Sequence, residues 1–475
     1  MTLPYIHNHS HNKDRSSNLS FIMDEKNRLR VLMFPWLAVG HISPFFELAK
    51  KLADRGFCIH ICSTPINLSF IKNKIPSQYS SSIQLVDLHL PESPELPPHY
   101  HTTNGLPLHL NFTLQKTLKM AKPTFSTIME SLKPNLLIYD ILMPWAAGVA
   151  DSHNVPAVRF FTSGAAVCTY FIHMFKRPNA EYPFPELYLR RYEQERAQKL
   201  MDERRSGRKD AGGAAAEDDG SDSAGIFHKN MVVISSSTEI ERKYVDYLRE
   251  LLSCKVLTLG TLVKPPMKMA DEFSELMGWL GEKEEKSTVF ASFGSEYFLS
   301  KEDMEEVAYG LEQSQANFIW VVRFPKGNEN PNLEEALPKG FLERIGGRGR
   351  VVEGWAPQEK ILSHQNTGGF MSHCGWNSLV ESIEYGVPII AMPMHLDQPV
   401  NAKLMVAIGV GVEVLRDDGG KLHREDVGRV VKDVIKGKLG ENVRNNVKIV
   451  GENVKLKSIQ EMDEAAVVLA QLCDV

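Results

Sequence analysis

The chain has 475 residues, 43% of them hydrophobic, with 54 Lys and Arg interspersed among 59 Asp and Glu for a formal net charge of −5. That length exceeds what one core usually serves, so two domains are expected, and the absence of any basic stripe argues against nucleic acid as a partner. No run approaches the roughly 18 apolar residues of a membrane span, and six scattered cysteines do not form a secreted disulfide framework, so a soluble protein of a reducing, cytoplasmic compartment is expected.

Residues 1–28 are polar and aperiodic, and read as a disordered leader. RVLMFPW then suits a buried parallel strand, and after the loop LAVGHI the segment SPFFELAKKLADRG reads as a helix. Ser43 is its expected N-cap and Pro44 its first residue. Phe45, Leu48, Ala49 and Leu52 form the apolar stripe, and Gly56 is the stop. FCIHICS opens a second strand, and the alternation recurs through IQLVDLHL, NLLIYD and AVRFF. Between about 195 and 228 the pattern breaks into charged and small residues, expected to be a mobile loop. MVVISS and KVLTLG close a first domain over 29–262, and VKPPMKMADE supplies a linker over 263–272. A second series, STVFASFGS, NFIWVVR, RVVEGW, GGFMSH and VPIIAMP, fills 273–455, and a helix over 456–475 is expected to pack back on the first domain. The fold class is α/β: two facing, Rossmann-like, doubly wound parallel-sheet domains. Ligands of such sheets bind outside the carboxyl ends of the strands, here in the cleft.

Several chemistries lack their signatures. The glycine fingerprint of dinucleotide binding begins at Gly409 and Gly411 but has Val414 in its third place, and no phosphate-binding P-loop occurs. No Asp-x-Asp is present to hold a divalent ion beside a diphosphate. Cys58, His60 and Cys62 alternate along one strand, which a buried strand explains better than zinc.

The stretch GGFMSHCGWNSLVESIEYGVPIIAMPMHLDQ brings His373 and Cys374 close to His395 and Asp397, yet it reads as an anion site. A strand ends at GFM, Gly375 permits a turn, and Ser378 with Glu381 forms a capping box for a short helix closed by Gly386. His373, Asn377 and Ser378 then sit at a helix N-terminus, where free N–H groups and the dipole favour phosphate. Upstream, Trp355 ends a strand where an indole can stack on a planar base, the alternative being an ordinary core tryptophan.

From Trp355 to Gln398 these 44 residues, with W-A-P-Q, H-C-G-W-N-S-x-x-E and D-Q, resemble the signature box of plant secondary-product UDP-glycosyltransferases without a gap. The resemblance extends to SFGS at Ser292–Ser295, to G-H-x-x-P at Gly40–Pro44 and to Asp140. It implies the two-domain GT-B fold and a UDP-sugar donor, with no other cofactor and no metal. It also implies that Trp355 stacks on uracil, the Ala356 backbone reads its edge, and Gln358 and Glu381 hold the ribose. Ser295, His373, Asn377 and Ser378 would bind the diphosphate; Trp376, Asp397 and Gln398 would contact the sugar, with Gln398 resembling glucose-using members. His41 would be the general base and Asp140 its orienting partner, giving an inverting transfer. The wording of the first domain is most similar to the branch-forming subgroup, which glucosylates a sugar already carried by a flavonoid or terpenoid. Direct glucosylation of an aglycone is the nearest alternative. A non-catalytic UDP-sugar binder is a third reading, disfavoured by the presence of both His41 and Asp140. The long leader, the Ala/Gly/Asp loop and Gly281 depart from the family pattern, all outside the donor box.

Overall fold

The structure, a computed structural model, describes residues 28–199, 231–264, 273–294, 298–324 and 333–473. The leader, most of the 195–228 loop, most of the linker and Ser295 lie outside the described residues.

Two parallel sheets organise the chain. The first takes β1 (Arg30–Phe34), β2 (Cys58–Ser63), β3 (Ile83–Asp87), β4 (Leu136–Asp140), β5 (Ala157–Phe161), β6 (Val232–Ile234) and β7 (Val256–Thr258), in the order β3-β2-β1-β4-β5-β6-β7. The second takes β8 (Thr288–Ser292), β9 (Asn317–Val322), β10 (Gly349–Glu353), β11 (Thr367–Ser372), β12 (Ile389–Ala391) and β13 (Gly411–Glu413), in the order β10-β9-β8-β11-β12-β13. Central strands such as LLIYD are buried along their whole length because helices cover both faces, which is why they read as continuous apolar runs. In both sheets the strand order reverses beside the first strand, β1 against β4 and β8 against β11, which opens the crevice at the carboxyl ends.

The first helix departs from its expected start. It spans Val39–Ala53, so Ser43 is not its cap and Pro44 lies inside it. The backbone does the capping instead: the Ala38 carbonyl accepts from the N–H groups of His41 (3.0 Å) and Ile42 (2.9 Å). His41 therefore belongs to the first helical turn rather than to a loop.

One helix covers Lys438–Cys473, passing position 455 without a break. Its Val447 and Val454 share a core with both sheets, while Met462, Ala465, Ala466 and Leu469 pack with Phe45, Leu48 and Leu52 under the first sheet. Gly260, at φ +70, lets this helix approach closely: a Cβ there would fall 2.4 Å from Ser458. Further ties join the two sheets. Lys403 and Glu193 form a buried pair at 2.8 Å, and Arg190 grips both oxygens of Glu413 at 2.5 and 2.7 Å. Among the described residues no helix is long and apolar enough to cross a membrane.

Candidate active site

The residues of the site stand at the carboxyl ends of strands or on the loops and helices that follow them. β1 leads to His41, β4 ends on Asp140 and β5 is followed by Thr162; these are adjacent strands. His41 Nδ1 lies 2.7 Å from Asp140 Oδ2, with the imidazole 25% exposed and the carboxylate fully buried. A carboxylate can only accept, so Nδ1 carries the proton and Nε2 is left as a base. Asp140 Oδ1 accepts from the Leu142 N–H at 3.0 Å, which fixes the carboxylate's plane. Thr162 Oγ1 stands 3.2 Å from the same Nδ1, a neighbour the sequence reading missed. Applying the carboxyl-edge rule to AVRFF, as it was applied to NLLIYD, singles out Thr162.

Across the cleft, β11 delivers His373 and the helix Trp376–Glu384. The capping box is not formed. Gly375 is the N-cap, extended at φ −65 and ψ 135, and no side chain caps the helix. The preceding turn is bent at Cys374, φ 69, and the N-cap lies three residues before Ser378. Ser378 and Glu381 are thereby free for another role: Gln358 Nε2 donates to Ser378 Oγ at 3.1 Å and to Glu381 Oε2 at 2.6 Å. Burial pushes the Glu381 carboxyl up to about 7, against the favourable hydrogen bond from Gln358. The uncapped helix start leaves backbone N–H groups for an anion.

His373 lies between two glycines. A Cβ on Gly294 or on Gly375 would fall 2.6 Å from its Nε2. Among the described residues no hydrogen bond of good geometry reaches its buried Nδ1, although the Ser292 backbone lies close to the ring. Burial, with His395 nearby, lowers its pKa to about 4, so the ring meets a ligand as a neutral imidazole.

Trp355 is 55% exposed, with the Phe273 ring set at a steep angle to it at 5.3 Å, and is thus no core residue. Ala356 beside it is buried. Trp376 is the reverse. Its indole is buried, donates from Nε1 to the Ser235 carbonyl at 2.6 Å and packs against Gly164, so a sugar contact from this residue falls to its backbone. Gln398 opens the helix Gln398–Ala407, and its Oε1 accepts from the N–H groups of Met394 and His395. Asp397 Oδ2 accepts from Asn401 Nδ2 at 3.0 Å. The two halves touch where Asn377 Nδ2 donates to the Gly40 carbonyl at 3.0 Å. Among the described residues no three His, Cys, Asp or Glu side chains converge as a metal cluster would require, and the buried Cys374 thiol is held well above its usual pKa by burial.

The family described as UDP-glucoronosyl and UDP-glucosyl transferase matches residues 230–465, and the glycosyltransferase N-terminal domain matches 27–255. The chain is 54% identical to beta-D-glucosyl crocetin beta-1,6-glucosyltransferase of Gardenia jasminoides, over 93% of this chain and 98% of that one. It is 50% identical to a mogroside IIIx synthase of Siraitia grosvenorii, over 91% and 95%. In fold it resembles Glycyrrhiza uralensis UGT73P12 complexed with glycyrrhetinic acid 3-O-monoglucuronide, with a TM-score of 0.78 at 22% identity over 94% and 96% of the two chains.

Proposed function

The chain belongs to the UDP-glucoronosyl and UDP-glucosyl transferase family, and from that premise we propose that it transfers glucose from UDP-glucose to the sugar of a flavonoid or terpenoid glycoside. The observation that carries the chemistry is the His41–Asp140 pair, held at the edge of one sheet directly opposite an uncapped helix start from the other. The two relatives support the acceptor class: one is named for action on a glucosyl crocetin, the other for making a mogroside.

His41 Nε2 takes the proton of the acceptor hydroxyl while Asp140 stabilises the imidazolium that forms. The acceptor oxygen bonds to C1 of glucose as the bond from C1 to the diphosphate oxygen breaks, its electron pair leaving with UDP. Attack opposite the leaving group inverts C1, so an α-linked donor gives a β-glucoside. The charge gathering on the diphosphate is met by N–H groups at the start of the Trp376–Glu384 helix, with Ser295 and the neutral His373, which we propose makes a divalent ion unnecessary. Trp355 is the stacking face for uracil beside the Ala356 backbone, Gln358 and Glu381 are the ribose partners, and Asp397 with Gln398 contacts the sugar. We propose a monomeric enzyme acting on small molecules, and its six free cysteines support a reducing, cytoplasmic setting.

The test is product mass spectrometry with UDP-glucose and chelator, offering a monoglucoside beside its aglycone. A hexose gained by the monoglucoside is expected; gain by the aglycone alone removes the glycoside reading and keeps the donor one. Trp355→Ala is expected to weaken UDP binding by roughly 1–3 kcal/mol with an unchanged melting temperature, because the ring is exposed and base stacking is its contribution.

Glu381 makes UDP binding pH-dependent. Ribose hydroxyls donate best to an ionised carboxylate, and in the free protein that carboxylate titrates at about 7. Below this value UDP must displace a proton as it binds. Affinity therefore rises as pH rises towards 7 and levels off above it, with a limiting slope of about tenfold per pH unit. Calorimetry between pH 5.5 and 8.5 reads the slope, and Glu381→Gln should flatten it; an equal slope in that variant assigns the titration elsewhere.

A further inference from the structure

Pro44 is the one part of the Gly40–Pro44 motif left without a role once His41 is read as the base. It is the sixth residue of the helix Val39–Ala53, a place where a residue normally donates its N–H to the carbonyl four positions earlier, that of Gly40. Proline has no N–H, and its ring crowds that carbonyl. The Gly40 carbonyl instead accepts from Asn377 Nδ2 at 3.0 Å, across the cleft.

We propose that Pro44 is a positioning residue: it turns the Gly40 carbonyl out of its own helix and onto the Asn377 amide, holding the turn that carries His41 against the donor-side helix. The arrangement answers a geometric need. The base comes from the first sheet and the donor's anion site from the second, and reacting groups misplaced by about 1 Å lose on the order of a hundredfold in rate. Gly40 is the residue next to His41, so a bond at its carbonyl registers the imidazole's turn directly. The Asn377 amide has two hydrogens. One serves Gly40, and the second remains for the donor's diphosphate, a part of the inference that rests on the donor reading above. One side chain would then both touch the leaving group and set the base's turn.

A proline inside a helix otherwise only weakens it, whereas alanine is the best helix former. Pro44→Ala restores the N–H, draws the Gly40 carbonyl back towards the helix axis and releases Asn377. The expected result is a thermal midpoint equal to or above wild type, unchanged UDP affinity, and a kcat lower by about three- to tenfold, the worth of one hydrogen bond. A merely structural proline would move stability and leave kcat alone.

The deciding measurement is a cycle of wild type, Pro44→Ala, Asn377→Ala and the double variant, with kcat and calorimetric UDP affinity for each. If the two substitutions act through one contact, Pro44→Ala has no further effect on kcat once Asn377 is gone. Equal losses in both backgrounds, or a wild-type kcat in Pro44→Ala, overturn the inference. The donor reading is scored separately. Weakened UDP binding in Asn377→Ala with an additive cycle keeps the diphosphate contact and removes the tie. Unweakened binding with a non-additive cycle does the reverse.

Discussion

Replacing His41 by alanine is expected to lower kcat by about 10²–10⁴-fold, the usual share of a general base, while leaving UDP affinity unchanged. The separation follows from the geometry. His41 and Asp140 hang from the first sheet, and the residues proposed to hold UDP, Trp355, Gln358, His373 and Glu381, hang from the second. The His41 imidazole is 25% exposed, so removing it empties no closed core. Asp140→Asn is the sharper companion. An asparagine can present its NH₂ to Nδ1, which forces the proton onto Nε2 and removes the base while the ring stays in place. The buried Asp140 also accepts the Leu142 N–H, so Asn keeps the fold better than Ala. Steady-state rates with calorimetry in parallel give the answer. Wild-type turnover in His41→Ala would remove this histidine from the mechanism, and a lost UDP affinity would place it in the donor site.

What was legible in the sequence follows from which forces act locally. Strands buried on both faces must be apolar throughout, so RVLMF, LLIYD and AVRFF announce a parallel α/β sheet without any long-range knowledge. Residues at the carboxyl edges are legible too, because a strand's end can be read from where its apolar run stops. Helix starts were read less well, for one reason in both cases. Ser43 and Ser378 have the right chemistry for caps, but at each helix the preceding backbone, Ala38 in one and Gly375 in the other, already provides the extended residue that opens the helix. At both starts the main chain decides, and the side-chain signal is silent about it. Contacts between the two sheets left no local trace at all. Nothing in H-C-G-W-N-S indicates that the indole faces Ser235 of the other half, or that Asn377 meets Gly40, since both depend on how two separately patterned sheets are set against each other. Thr162 was missed for a milder reason: a threonine after a strand is common, and only its distance to His41 makes it notable.

Trp376→Ala should be the most destabilising of the single changes, by about 3–5 kcal/mol, the range for truncating a buried tryptophan. The indole is 4% exposed and lies in a core that joins Ala165, Ala166 and Tyr244 of the first half to Leu379, Val380 and Val400 of the second. Gly164 is cut to its shape, since a Cβ there would fall 2.8 Å from a ring carbon. Truncation leaves a cavity and strands the Ser235 carbonyl without its donor. The two losses can be told apart, because Trp376→Phe keeps most of the ring volume but not the N–H. It should recover most of the stability and retain a deficit of roughly 1–3 kcal/mol for the unpaired carbonyl. Because the indole bridges the halves, the loss should also appear in cooperativity. A denaturation curve that is a single transition in wild type is expected to broaden or divide in Trp376→Ala, as each sheet begins to unfold on its own. An unshifted single transition would mean that the remaining contacts, among them the buried Lys403–Glu193 pair and the partly buried Arg190–Glu413 pair, hold the interface without the indole. In that case the tryptophan's burial would have to be explained by the donor-side helix it begins, whose start it fixes beneath the proposed diphosphate site, and the variant would lose UDP affinity while keeping its melting temperature.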